Sequence, residues 1–450
     1  MNNPLNPVAL STIEPYASRR ARLAERTSCC CGGVIIIPTA PERVRNRDND
    51  HPYRFDSYFH YLTGFTEPDA VLVMVVGEKS RSILFCRPKN LEREIWDGFR
   101  HGPEAARALC GVNEAYSIEE FDQKLPELMG NQNALWYSLA NDPAFDERIF
   151  AALRTVRANS RSGIRAPTEV RDVHTALDEM RLFKDTHELD TMRRAAAITT
   201  GAHSRAMRAT RPGRFEYEIE AELLHEFRRH GSQSVAYNSI VASGPNACVL
   251  HYNTNASRMQ AGELLLIDAG CELDGYASDI TRTFPVSGKF EGPAKDIYAL
   301  VLAAQEAAFA QCRPGSSFDA PHLAVVRTLS QGLLDLGLLT GSLNSVLETN
   351  AYHRFYMHRT SHWLGLDVHD VGEYKVSSVW RPLRAGMVLT IEPGCYIRPA
   401  DDVPEAFWNI GVRIEDNLLI TADGHENLTA AAPKQIADIE AIMAEAPAHG

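Results

Sequence analysis

The sequence lacks the apolar run that a membrane crossing requires. Nowhere do roughly 20 such residues follow one another, and the early candidate, Val34 to Ile37, is stopped by Pro38. It also lacks an excess of positive charge. The 46 basic residues are outnumbered by 58 acidic ones, for a net charge of −12, and no segment gathers enough Lys and Arg to reverse the balance. A nucleic-acid polyanion is therefore excluded as the expected partner, and bound cations are a more natural complement. The opening residues Met1 to Leu10 have neither a basic start nor a continuous apolar core, so no secretory leader is expected there. Nine cysteines form an odd set without metal-ligand or disulfide-framework spacing, which points to a reducing cytoplasm. The run Cys29-Cys30-Cys31 reads as small apolar filler ahead of a strand at Val34 to Ile37. Common catalytic signatures are missing as well. There is no Gly-x-Ser-x-Gly elbow, no Walker-type loop, no His-Glu-x-x-His helix, and no dinucleotide fingerprint after a strand.

What is present is a long chain with ordinary globular chemistry. At 450 residues, with a hydrophobic fraction of 44%, it exceeds what one core usually serves, so two domains are expected. In the first third, Ala70–Val76 and Ser82–Cys86 read as strands joined by a polar turn, with a further strand at Ala134–Leu139. Lys184 to Arg208 reads as a long amphipathic helix, in which Leu189, Met192, Ala196, Ile198 and Thr199 recur at helical spacing. The expectation is an α/β protein with a smaller domain over 1–178 and a larger one over 179–450.

An internal repeat marks the larger domain. Residues 261–271 read AGELLLIDAGC and residues 385–395 read AGMVLTIEPGC, identical at six of eleven positions, with Asp268 set against Glu392. A duplicated unit with pseudo-two-fold symmetry brings one acid from each half to a shared centre. In the first half, strands at Leu264–Ala269 and Ala277–Phe284 flank Asp274-Gly275, a hairpin signal. A turn at Leu273-Asp274 sets Asp268 directly opposite Asp279, and a turn at Asp274-Gly275 sets the two diagonally on one face. In the second half, Met387–Glu392 and Gly411–Ile420 read as strands carrying Glu392 and Glu415. Four carboxylates in such apolar surroundings are costly unless they are paired or coordinated. Two divalent ions would cancel their charge, and an oxygen-rich set favours Mn²⁺ or a similar ion. The stretch MHRTSHWLGLDVHDVG (357–372) adds His358, His362 and His369 within twelve positions, and His251 lies in VLHYNT.

The motifs LLLIDAG, SDITRTFP, MHRTSHWLGLDVHD, TIEPG and GVRIED resemble, in order and spacing, those of the pita-bread metallopeptidases, and most closely the aminopeptidase P group among them. YLTGFTEPDAVLV, EIWDG and ENLT extend the likeness over nearly the whole chain. The resemblance implies a C-terminal pita-bread domain that releases the first residue of peptides whose second residue is proline. It implies two Mn²⁺ ions, with Asp279 and Glu415 bridging, Asp268 on one ion, and His362 with Glu392 on the other. A metal-bridging hydroxide would be the nucleophile, Glu392 the proton shuttle, and Asp268 a partner for the substrate ammonium. His251 and His369 correspond to substrate-contacting histidines and His358 to the lining of the proline pocket. Arg413 and Tyr396 correspond to the layer supporting the ligands. Trp96 corresponds to a tryptophan that approaches a neighbouring subunit's site in a homotetramer. Arg359, where the family usually has a small residue, bears on peptide length. A prolidase would share the ligands but cleave dipeptides, and a methionine aminopeptidase normally lacks the large first domain. Non-catalytic relatives have lost ligands that are all present here.

Overall fold

The computed structural model describes residues 13–445. Met1 to Leu10, read above for a leader, lies outside them. The contacts of the chain divide it into two units, Met1–Met180 and Arg181–Gly450.

The first unit is built on a six-stranded mixed sheet in the order Glu114–Ser117, Arg81–Cys86, Val71–Val76, Gly33–Pro38, Ala134–Trp136, Glu169–Arg171. Gly33–Pro38 is central and almost wholly buried, as its GVIIIP sequence requires of a strand covered on both faces. It runs antiparallel to Val71–Val76 and parallel to Ala134–Trp136. The cysteine run is not filler: it forms the exposed turn that ends the helix Glu14–Ser28, with Cys31 at φ 90°. A helix end needs a left-handed residue to reverse the chain, and that demand overrides the apolar character of the thiols.

In the second unit, the helix Thr186–Ala209 opens with a capping box between Asp185 and Glu188 and buries Met192, Ala195, Ala196, Ala202 and Ala206. Two small antiparallel sheets form the centre. One has the order Ile240–Ser243, Leu264–Asp268, Thr281–Pro285; the other Val388–Ile391, Asp416–Ile420, His425–Asn427. The helices Thr186–Ala209, Glu216–Arg229, Gly292–Phe309 and Ala320–Asp335 share one apolar core with both sheets.

Two expected strands are each broken in two. In place of Ala277–Phe284 there are Tyr276–Ala277, paired with Cys271–Leu273, and Thr281–Pro285, paired with Leu264–Asp268. In place of Gly411–Ile420 there are Ile410–Arg413, paired with Gly394–Ile397, and Asp416–Ile420, paired with Val388–Ile391. Asp279 and Glu415 occupy the breaks, where the chain changes partner. Side chains replace the missing ladder bonds there. The Asn417 carboxamide accepts from the Asp279 N–H at 3.0 Å and donates to its carbonyl at 2.5 Å, while the Glu415 N–H donates to the Thr281 carbonyl at 3.0 Å. The first hairpin turns at Asp274-Gly275, with φ 50° and 85°, a primed turn for which Gly is suited. The diagonal register follows: Asp268 faces Thr281, and Asp279 lies two residues earlier on the same side. Gly270 lets the flanking strands close up, since a Cβ there would lie 1.7 Å from the Ser278 carbonyl oxygen.

Candidate active site

The two breaks and the two strand ends converge. Asp268 ends one strand, Glu392 follows another, and Asp279 and Glu415 stand in the breaks opposite them. His362 arrives on the segment Thr360–Leu364. That segment runs beside Val388–Ile391, with the Thr390 N–H donating to the His362 carbonyl and the Glu392 N–H to the Thr360 carbonyl. Ligating atoms of Asp279, His362 and Glu415 all lie within 4.8 Å of one another.

His362 is oriented for ligation. Its Nδ1 lies 2.9 Å from the Trp363 carbonyl, which can only accept, so Nδ1 carries a proton and Nε2 is the nitrogen turned toward the acids, open to a cation once its own proton is given up. Nε2 is 3.4 Å from Asp279 Oδ2 and 3.6 Å from Glu392 Oε1. On the aspartate side, Tyr237 donates its hydroxyl to Asp268 at 2.6 Å and also touches Asp279. Arg413 donates to Asp268 Oδ2 at 2.6 Å and to the Tyr396 hydroxyl at 3.0 Å. That hydroxyl meets His358 Nε2 at 2.8 Å, and His358 Nδ1 donates to the Arg359 carbonyl at 2.8 Å. The chain Arg413, Tyr396, His358 thus has one consistent direction of donation. On the glutamate side, Thr281 donates to Glu415 Oε2 at 2.7 Å, but Glu415 Oε1 is buried with no hydrogen-bond partner.

The acids pay for this crowding in their titration. Burial, with the charges of Asp279, Glu392 and Asp268 adding to it, drives the Glu415 carboxyl well above its ordinary range. Burial likewise lifts Glu392 to about 7 against the pull of His362, with Asp279 adding to the rise. Asp279 is raised by burial, against His362 and with Asp268. His362 goes the other way. Burial opposes its charge, but Asp279 and Glu392 outweigh burial and raise it to about 9. His358 is held neutral, first by burial and then by the Arg413 charge, at about 3. Carboxylates that repel one another around an orphaned buried oxygen, beside a histidine whose Nε2 faces them, have the chemistry of a divalent-cation site.

This cluster lies in the wall of a cavity of about 930 Å³, lined also by His251, His358, His369, Arg359 and Arg413. An aromatic wall of Phe318, Tyr374 and Trp380 faces it. His369 packs edge-on to His362, with ring centroids 4.3 Å apart. Tyr396 is buried behind the cavity and reaches it through His358 and Arg413. Trp96 is not among the lining residues: it sits on the short helix Leu91–Asp97 of the first unit, 83% exposed. Sequence reasoning missed Tyr237, Thr281 and Asn417. Only Thr281, inside the SDITRTFP motif, had a signal within reach. Tyr237 and Asn417 look like ordinary loop and strand residues until the chain is folded.

Comparison with known proteins adds the following. A model of metallopeptidase family M24 matches residues 190–422, and a model of the aminopeptidase P N-terminal domain matches residues 16–136. The chain is 47% identical over 431 residues to an Xaa-Pro aminopeptidase of Haemophilus influenzae, covering 96% of this chain and 97% of that one. A variant of Escherichia coli aminopeptidase P in complex with substrate superposes with a TM-score of 0.93 at 44% identity, covering 96% of this chain and 98% of that one. The zinc-substituted E. coli enzyme in complex with product gives 0.93 at 45% identity with the same coverage. The fold is therefore a mixed α/β N-terminal domain followed by a pita-bread domain.

Proposed function

We propose, starting from the fact that the chain belongs to metallopeptidase family M24, that it is an Xaa-Pro aminopeptidase like the relatives it matches and works with two divalent ions held by Asp268, Asp279, His362, Glu392 and Glu415. The observation that carries this reading is the orphaned Glu415 Oε1 beside Asp279 and His362, an oxygen that a cation held by the three would satisfy. Asp279 and Glu415, one at the strand break of each half, would be the shared ligands. Asp268 would serve one ion, and His362 with Glu392 the other. The ions, when bound, supply Lewis-acid polarisation of the scissile carbonyl and lower the pKa of water to near neutrality. Mn²⁺ suits the donor set.

The chain's own residues do the rest. Asp268, anchored by Arg413 and Tyr237, offers charge to the substrate's free ammonium, which restricts cleavage to the first peptide bond. His251 and His369 stand in the cavity wall as donors toward the carbonyl oxygen, where negative charge develops. Glu392 accepts a proton at its carboxylate and returns it to the leaving nitrogen. That nitrogen belongs to a tertiary amide without an N–H, so the ring must be held by shape. Neutral His358, fixed between Tyr396 and the Arg359 carbonyl, gives proline an uncharged wall. A homotetramer in a reducing cytoplasm completes the reading, and light scattering on the purified protein would test the assembly.

The deciding experiment is hydrolysis of Arg-Pro-Pro, Ala-Pro and Met-Ala-Ser, with Mn²⁺ and with chelator. Chelator-sensitive release of Arg from the tripeptide, with little cleavage of the dipeptide, is the expected outcome. Cleavage confined to Ala-Pro would make the protein a prolidase, and release of Met a methionine aminopeptidase.

A further inference from the structure

The pair Glu392 and Glu415 is tied from beneath by one buried polar side chain on a helix. The helix Gly292–Phe309 buries Ile297, Val301, Ala304 and Ala308 on an apolar face, yet the same face carries Gln305 at 0% exposure. The Gln305 carboxamide nitrogen donates to the Ile391 carbonyl at 3.2 Å and to the Ile414 carbonyl at 3.1 Å. These residues immediately precede Glu392 and Glu415. The carboxamide oxygen accepts from Lys434 Nζ at 2.9 Å, and that ammonium is itself held by Asp416 Oδ2 at 2.7 Å. With its oxygen so engaged the amide has one orientation, and both of its N–H groups are committed to the two carbonyls. The backbone ladder does not do this work, because its last pair is Ile391 with Asp416.

The other half has only a partial counterpart. His203, on the helix Thr186–Ala209 and also 0% exposed, donates Nε2–H to the Ala269 carbonyl at 3.1 Å, while its Nδ1 is buried without a hydrogen-bond partner. Ala269 immediately follows Asp268. His203 thus holds one acid-bearing segment, whereas Gln305 bridges two.

We infer that Gln305 is a positioning residue: by clamping the Ile391 and Ile414 carbonyls it sets the separation of Glu392 and Glu415, and so the geometry of the second ion. The inference rests on the two-ion reading above. A role limited to satisfying buried carbonyls would lower stability and leave the ions alone. A positioning role moves the ions themselves.

The test is a calorimetric titration of metal-free wild type and Gln305→Met with Mn²⁺, followed by the Mn²⁺ EPR spectrum. Wild type takes up two ions per chain and gives the spectrum of an exchange-coupled pair. Gln305→Met keeps one ion at wild-type affinity and binds the other at least tenfold more weakly, with the spectrum of isolated ions. Its kcat on Arg-Pro-Pro falls while KM stays near wild type. Two ions at wild-type affinity and an unchanged pair spectrum in folded Gln305→Met overturn the inference. A wild type that takes up one ion or none overturns the two-ion reading itself, and the inference with it, before any variant is made. Should Gln305→Met fail to fold, Lys434→Met keeps both donors and frees the oxygen that orients them. A several-fold weaker second ion in that variant supports the clamp, and unchanged binding overturns it.

Discussion

The aspartate half and the glutamate half of the site descend from one repeated pattern but are stabilised in different ways. Asp268 has a fixed counter-charge in Arg413 at 2.6 Å and a hydroxyl donor in Tyr237. Glu392 and Glu415 have no fixed cation at such a distance. His362 stands 3.6 Å from Glu392, Arg413 acts on both only through space, and Glu415 keeps an unpartnered buried oxygen. The protein thus neutralises one half with its own side chains and leaves the other to be completed from outside. Metal dependence should accordingly be felt most at the residues that span the halves or belong to the glutamate side.

The sharpest way to break this comparison is Asp279→Ala, which removes the acid common to both halves. Activity is expected to fall by at least about a thousandfold, the equivalent of several kcal/mol of metal assistance. Metal analysis should find depleted ions, and circular dichroism an unchanged fold. Retained turnover would show that Asp279 is not shared between the ions.

Removing the ions from the intact protein separates the halves by pH. Without metal, Glu392 titrates near 7 in the folded chain, above its ordinary value, so stability drops as pH rises from about 4.5 to 7. His362, raised to about 9, adds stability that is complete below about 6.5 and is lost as pH rises through 9. Both effects have the same sign. The metal-free protein should melt progressively lower between pH 5 and pH 9, while the Mn²⁺-loaded protein, whose ligands are already deprotonated, should lose little over that range. At a hundredfold excess over Kd the ions contribute about 2.7 kcal/mol. A flat metal-free profile in differential scanning fluorimetry would mean that the glutamate half carries its own compensation.

Arg413→Met tests the aspartate half, where the counter-charge is built in. It frees Asp268 and unhooks Tyr396, and a loss of about 10- to 100-fold in metal affinity or activity is expected from such a supporting residue. Arg413→Lys should rescue only part of this, because one ammonium cannot reach both partners in the forked geometry. His358→Ala lies further out. Metal content should be unchanged, and the preference for proline over alanine at the second position should fall about tenfold. Loss of metal would instead make His358 a ligand.

How much of this the sequence disclosed depends on how local each signal is. The repeat 261–271 against 385–395 announces the paired acids, since a short apolar strand ending in a carboxylate needs no distant partner to be recognised. The diagonal register of Asp268 and Asp279 follows from the side-chain period of a hairpin once the turn is placed. The breaks at Asp279 and Glu415 were not legible. Apolar runs on either side mimic one continuous strand, and only the change of partner, enforced by Asn417 from the other half, interrupts it. Tyr237 and Gln305 escaped for the same reason: their partners lie 31 to 129 residues away in the chain, and neither has a neighbouring motif. Trp96 had a motif, EIWDG, and sits exposed on a short helix of the first unit.

The smallest expected effect concerns the cavity mouth, where Arg359 departs from the family pattern. Its guanidinium pairs with Asp319 and lies 4.9 Å from the centre of the Trp380 ring, so it is fixed in place while lining the cavity. A half-exposed ion pair and one cation–π contact each contribute about 0.5–1 kcal/mol, which is enough to hold the side chain across the opening and too little to govern folding. Arg359→Gly should leave metal content, melting temperature and hydrolysis of Arg-Pro-Pro close to wild type. The expectation is that a bound tripeptide stops short of Arg359, whereas a nonapeptide with proline second extends past it. A gain of a few-fold, about 1 kcal/mol or less, in kcat/KM for the nonapeptide alone is the expected result. Equal changes for both substrates would mean that Arg359 acts on His358 through the shared backbone rather than on the length of peptide admitted.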